Sequence, residues 1–159
     1  MPATFVKGDL FAAADLDALA HGCNCAGAMG KGIAVQFKAR FPAMYDEYRR
    51  RCVDGLFRPG DVFIWNDPSG VTVFNLGTQR TWHTRATLPA VSQALHGMIL
   101  TAGMLGIKRI GLPRIGAGLG GLPWEDVKAE LVLAGEKTLV ELVVFEEYEP
   151  ALQNGSGSA

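Results

Sequence analysis

The sequence predicts one three-layer α/β/α domain built on a mixed sheet. Three observations carry that expectation. Short apolar runs of strand length alternate with longer segments of helical spacing along the chain. Two strand-like runs, DVFIW and VTVFNL, flank the turn signal Asn66-Asp67-Pro68-Ser69-Gly70 and read as a hairpin, which adds an antiparallel pair. The length of 159 residues suits a single domain, one that buries about two-thirds of the surface its unfolded chain exposes.

The elements follow in order. Residues 4–7 form a short strand, and the apolar run 19–23 a second one that leads into glycines. Over 33–48, Ile33, Phe37, Phe41 and Tyr45 recur every four residues, which is helical spacing. Pro42 must bend or split that helix, because it lacks an N–H and crowds the preceding turn. The hairpin strands cover 61–65 and 71–76, and residues 88–103 read as helix. A short strand over 108–112 runs into a glycine-rich segment. Pro123 then stands at a favourable first helical position before a helix over 124–133. Residues 140–145 (VELVVF) make a final buried strand.

Composition narrows the function classes. Apolar residues make up 48% and charged residues 19%, an ordinary globular balance. The net charge of −1 supplies no global attraction to nucleic acid or membrane, so any polyanion must be held by a local site. No apolar run approaches the roughly 20 residues that span a bilayer, so no membrane partner is expected. Met1 leads into a strand-like segment rather than a signal peptide. The cysteines, Cys23, Cys25 and Cys52, are odd in number, which argues against a disulfide framework and for a cytoplasmic protein. Cys-x-Cys is tighter than the usual zinc or redox spacing, and the three histidines are dispersed, so no metal is expected. The domain is expected over 1–150, with 151–159, ending in NGSGSA, as a flexible tail.

Two glycine loops each follow a strand and precede a helix. They are Gly30-Lys31-Gly32 and Gly116-Ala117-Gly118-Leu119-Gly120-Gly121. Glycine lets the backbone approach a ligand with its N–H groups exposed, and a helix N-terminus adds partial positive charge. Two such loops at the carboxyl ends of strands would cradle a diphosphate. Neither is a phosphate-binding Gly-Lys-Ser/Thr loop or a full dinucleotide fingerprint. Asp9, just past the first strand, suits either an adenine amino group or a helix N-cap.

These segments resemble the macro domain family. The resemblance rests on Val6-Lys7-Gly8-Asp9-Leu10-Phe11, on His21 followed by MGKGIAVQFK over 29–38, and on LPRIGAGL over 112–119 with Trp124-Glu125. It implies an α/β/α module with a mixed, mostly parallel sheet and ADP-ribose as ligand, without a further cofactor. Within the family the chain is most similar to the branch of the terminal ADP-ribose protein glycohydrolase and the bacterial DarG-type antitoxins. That branch implies removal of ADP-ribose from thymidine in single-stranded DNA, opposing a DarT-type toxin. The resemblance places Asp9 and Leu10 at adenine. It places Gly30, Gly32, Ile33 and Ala34 at the distal ribose and diphosphate, and Gly116, Ala117, Gly118 and Leu119 around the diphosphate. Asn24 falls beside the distal ribose.

One departure concerns catalysis. The branch carries a lysine soon after the hairpin strand, and Arg80 falls at that position. A desolvated lysine can lose its proton and attack C1 of the ribose, whereas arginine keeps its proton. The branch also uses an aspartate where this chain has Gly120. Either Arg80 leaves a binder, or water attacks directly, positioned by Asn24 and the substrate phosphate. Next to this position, Trp82 and His83 with Arg85 suit single-stranded DNA, the aromatic stacking on a base and the cation meeting phosphate. The readings are therefore a DNA ADP-ribosyl hydrolase, an ADP-ribose reader without turnover, and a hydrolase of glutamate-linked ADP-ribose on protein.

Overall fold

The computed structural model describes residues 2–151. The NGSGSA tail lies outside the described residues. Ten elements follow one another: β1 (Thr4–Gly8), β2 (Ala18–Asn24), α1 (Ala34–Arg40), α2 (Pro42–Val53), β3 (Val62–Asn66), β4 (Thr72–Gln79), α3 (Leu88–Leu105), β5 (Arg109–Leu112), α4 (Trp124–Glu136) and β6 (Glu141–Tyr148). The six strands form one sheet in the order β1-β6-β5-β2-β4-β3. Every pair is parallel except the β3–β4 hairpin at one edge. The predicted three-layer architecture with a mixed, mostly parallel sheet is what the chain adopts.

Local chemistry sets the boundaries. Pro42 does split the predicted helix. Phe41, ahead of it, has φ −129° and ψ 66°, ends α1 and opens α2, because a residue before proline is pushed out of the helical region. The hairpin turn is tied by Asp67, whose carboxylate accepts from Ser69 N (3.0 Å) and from Trp65 Nε1 (3.0 Å). Thr87 caps α3 by accepting from Ala90 N, and Gly106 closes that helix in the left-handed conformation at φ 73°. Pro123 differs from expectation. It is the residue before α4, with ψ 130°, rather than the first helical residue; its fixed φ suits extended backbone as well as helix.

Two cores lie on opposite faces of the sheet. One joins α3 and α4 to the central strands through Val91, Leu95, Met98, Val127 and Leu131. α3 is long and apolar enough by composition to cross a membrane; one face of it packs on this core, while Leu100, Met104 and Leu105 are exposed. The other core packs α1 and α2 through Phe37, Phe41, Met44 and Tyr48. Trp124 packs α4 toward the sheet, edge-on to Phe5 of β1 at 6.4 Å.

Candidate functional site

Three loops rise from adjacent parallel strands β5, β2 and β4, at the carboxyl ends where α/β sheets hold ligands. They are residues 24–33 after β2, 80–87 after β4 and 113–121 after β5. Between them lie two cavities, of about 460 and 290 Å³, whose walls share Gly22, Lys31, Ala34, Gln79 and Leu119. Gly22 is the floor of both. A Cβ there would stand 3.1 Å from the Thr78 methyl and 3.3 Å from the Gly116 amide nitrogen. A side chain there would push Thr78 or the second glycine loop away by a few tenths of an ångström.

The two glycine loops face each other. Leu119, 64% exposed, reaches over Gly32, at 3.4 Å from where a Cβ would sit. The 113–121 loop closes on itself through Ala117 N to Arg114 O, Gly121 N to Gly118 O and Leu122 N to Gly116 O. The amides of Gly118, Leu119 and Gly120 donate to nothing within the described residues, and neither do those of Gly30, Lys31 and Gly32. Lys31 adds a cationic residue to both walls, while Arg114 borders the smaller cavity with its guanidinium held away by Glu146 O (2.6 Å) and the Trp124 ring. Unpartnered amides with flanking cations are the means by which a protein holds phosphate oxygens.

Below this surface the polar groups are neutral and fully bonded. His21 is buried, stacks on Phe37 at 3.8 Å and donates from Nε2 to Asn75 Oδ1 at 2.7 Å. Asn75 in turn donates to Phe63 O (3.1 Å), which fixes its orientation. Burial, only partly offset by the Asn75 bond, lowers the His21 pKa to about 4. The three cysteines cluster around Tyr48. Burial pushes the Cys25 thiol up to about 12 and raises Cys23 and Cys52 as well. Thiols held in the neutral form are poor nucleophiles and poor metal ligands, so the Cys-x-Cys pair is packing around Asn24.

The structure brings most of the predicted site residues together. Gly30 and Asn24 line the larger cavity, with Trp82 and His83 at its edge. Gly32, Ile33, Gly116 and Gly118 line the smaller one, and Ala34 and Leu119 line both. Others lie elsewhere. Ala117 packs on the core beneath the loop. The Leu10 side chain is core, at 1% exposure. Asp9 borders neither cavity; its carboxylate accepts from Phe11 N and Ala151 N, each at 2.9 Å, and caps a turn rather than a helix. Arg85 donates to Gly121 O at 2.7 Å and thereby ties the 80–87 loop to the second glycine loop.

Arg80 is exposed and borders neither cavity. The residue of this strand end on the cavity wall is Gln79, which sequence reasoning passed over. Its amide donates to Thr81 O (3.1 Å) and Thr84 O (3.0 Å), closing the loop that carries Trp82 and His83. Gly22 and Thr78 were also passed over, and Lys31 was named only as part of the first glycine loop. At Gly120 a Cβ would stand 2.5 Å from Gly116 O and 3.0 Å from the Ala86 Cβ, so no side chain fits without rebuilding the loop.

With this geometry in view, comparison with known proteins is decisive. The macro domain family model matches residues 20–131. The chain belongs to the macro domain family. Among its relatives is the DNA ADP-ribosyl glycohydrolase of Mycobacterium tuberculosis, 37% identical over 134 residues, covering 82% of this chain and 38% of the relative. The human ADP-ribose glycohydrolase OARD1 is 31% identical over 142 residues, covering 89% of this chain and 90% of that protein. The solved macrodomain of Mycobacterium tuberculosis DarG superposes with a TM-score of 0.83 at 35% identity, covering 94% of this chain and 98% of that one. The likeness places this macro domain in the DarG branch that its loop motifs resemble. The chain spans well under half of the mycobacterial relative, so that protein's whole activity and partners are not carried over with the fold.

Proposed function

We propose that this macro domain is an ADP-ribosyl glycohydrolase that releases ADP-ribose from thymidine in single-stranded DNA. The observation that carries the reading is the pair of neighbouring cavities between two glycine loops in which the amides of residues 30–32 and 118–120 have no partner among the described residues. The smaller cavity, with Lys31 and the backbone of Gly116, Gly118, Leu119 and Gly120, suits the diphosphate. The larger one, with Asn24 and Gly30, suits the distal ribose, and it opens beside Trp82 and His83, where the modified nucleotide would emerge. An exposed tryptophan there can stack on a base.

Gln79 and Gly120 supply neither nucleophile nor acid, so hydrolysis proceeds by direct attack of water on C1 of the distal ribose. The bond from C1 to the base breaks, the base leaves with the bonding electrons, and the proton of the attacking water balances its charge. Asn24 and a phosphate of the substrate orient that water. The same activity fits a bacterial, cytoplasmic antitoxin acting against a DarT-type DNA ADP-ribosyltransferase.

The family resemblance carries a second reading, in which the substrate is glutamate-linked ADP-ribose on protein. Calorimetry with ADP-ribose tests the shared premise: absence of binding at millimolar ligand sinks both readings. Parallel incubations with ADP-ribosylated single-stranded DNA and ADP-ribosylated protein separate them. Release from neither, with ADP-ribose still bound, identifies a reader without turnover.

A further inference from the structure

Helix α2 reaches from the second core to the wall of the larger cavity through one hydroxyl. Tyr48 has no solvent exposure, and its Oη lies 2.7 Å from Asn24 O, 3.0 Å from Asn24 Oδ1 and 3.4 Å from Ala28 O. Asn24 Oδ1 also accepts from Ala26 N (3.0 Å) and Ala28 N (3.3 Å), while its Nδ2 donates to Ala28 O (2.7 Å). One turn earlier, Tyr45 donates to Gly27 O at 3.2 Å. The loop over residues 24–28 is therefore wound around the Asn24 amide and held from below by two tyrosines.

This pattern sets the polarity of the amide. Turning Asn24 over would place its NH₂ against two backbone N–H donors and leave the Ala28 carbonyl facing an oxygen. With the oxygen taken by the Ala26 and Ala28 N–H groups and one N–H taken by Ala28 O, the side chain has one N–H left among the described contacts. Asn24 also lines the larger cavity.

We propose that Tyr48 is a positioning residue: its one hydroxyl proton, given to Asn24 O at 2.7 Å, holds the backbone from which Asn24, its amide turned by the Ala26 and Ala28 N–H groups, donates toward the cavity. Resting on the glycohydrolase reading, this makes the partner of Asn24 an oxygen lone pair, either a ribose hydroxyl or the attacking water. Asn24 then orients that oxygen and takes no proton from it.

Two variants and one spectrum test the assignment. Tyr48→Phe keeps the ring against Phe57 (5.9 Å, edge-on) and removes only the hydroxyl. It should fold, lower kcat for release from ADP-ribosylated DNA by roughly tenfold, the upper end of one lost hydrogen bond, and leave KM nearly unchanged. Asn24→Asp keeps the acceptor that Ala26 N and Ala28 N need but removes the donor, so ADP-ribose affinity should fall at least about tenfold. In the ligand-free protein, the Asn24 side-chain N–H bonded to Ala28 O should exchange slowly with solvent, and Tyr48→Phe should speed that exchange. Unchanged affinity in Asn24→Asp overturns the donor assignment. Unchanged exchange and kcat in folded Tyr48→Phe overturn the role of Tyr48. Because the exchange measurement needs no ligand, a protein that binds no ADP-ribose defeats the glycohydrolase reading while the spectrum still decides the positioning role.

Discussion

Lowering the pH should loosen the floor of the site through His21. Its imidazole is buried, sandwiched on Phe37 and bonded to an Asn75 oxygen that can only accept. Burial holds its pKa at about 4, against 6.5 in an unfolded chain. Between these values the unfolded chain binds a proton that the folded protein excludes. Folding stability therefore declines as pH falls from 6.5 to 4, at about 1.4 kcal/mol per pH unit, for about 3 kcal/mol in total. Above pH 6.5 this residue adds no pH dependence. Urea denaturation at intervals from pH 7.5 to 4.5 measures the decline. His21→Gln, which retains a donor toward Asn75 but no titrating group, should show a shallower slope over the same window. The imidazole resonance of His21 should stay unprotonated down to pH 5. Native titration of His21 near 6.5, or parallel stability curves for parent and variant, would refute the account.

Further outcomes follow from the cavity walls. Gln79→Lys should increase ADP-ribose release from modified DNA with little change in ADP-ribose affinity, whereas Arg80→Lys should leave turnover unchanged; single-turnover assays on both variants distinguish the two positions. Trp82→Ala should leave stability within about 0.5 kcal/mol of the parent, because the side chain is 59% exposed. The same variant should weaken binding of ADP-ribosylated single-stranded DNA by roughly 1–3 kcal/mol without affecting free ADP-ribose. Gly120→Asp should not restore acid catalysis. The new Cβ would collide with Gly116 O, so thermal stability should drop by about 1–3 kcal/mol and ADP-ribose affinity should fall with it, both readable by thermal shift and calorimetry.

The fold was largely legible because its signals are local. The hairpin turn, Pro42, the apolar runs and the two glycine loops each act within a few residues, and each appears where its own chemistry puts it. What escaped the sequence depends on contacts across the sheet. The β2–β4 ladder runs in register from Ala18–Thr72 to Cys23–Gly77, then slips so that Asn24 pairs with Gln79. With a core on each face, β4 is buried from Val73 through Thr78 and Gln79, at 1% and 7% exposure, and Arg80 is the first residue outside. A one-residue irregularity in a parallel ladder has no signature in composition or spacing, yet it sets Gln79 beside Asn24 at the cavity wall. The same holds for Tyr48 and Asn24, which meet across 24 residues of chain. A helical tyrosine at a buried position reads as core, and only the folded geometry reveals that its hydroxyl governs a polar group at the cavity. Functional assignment at this site thus turns on register and second-layer hydrogen bonds, so the informative substitutions are at Gln79 and Tyr48 as much as within the glycine motifs.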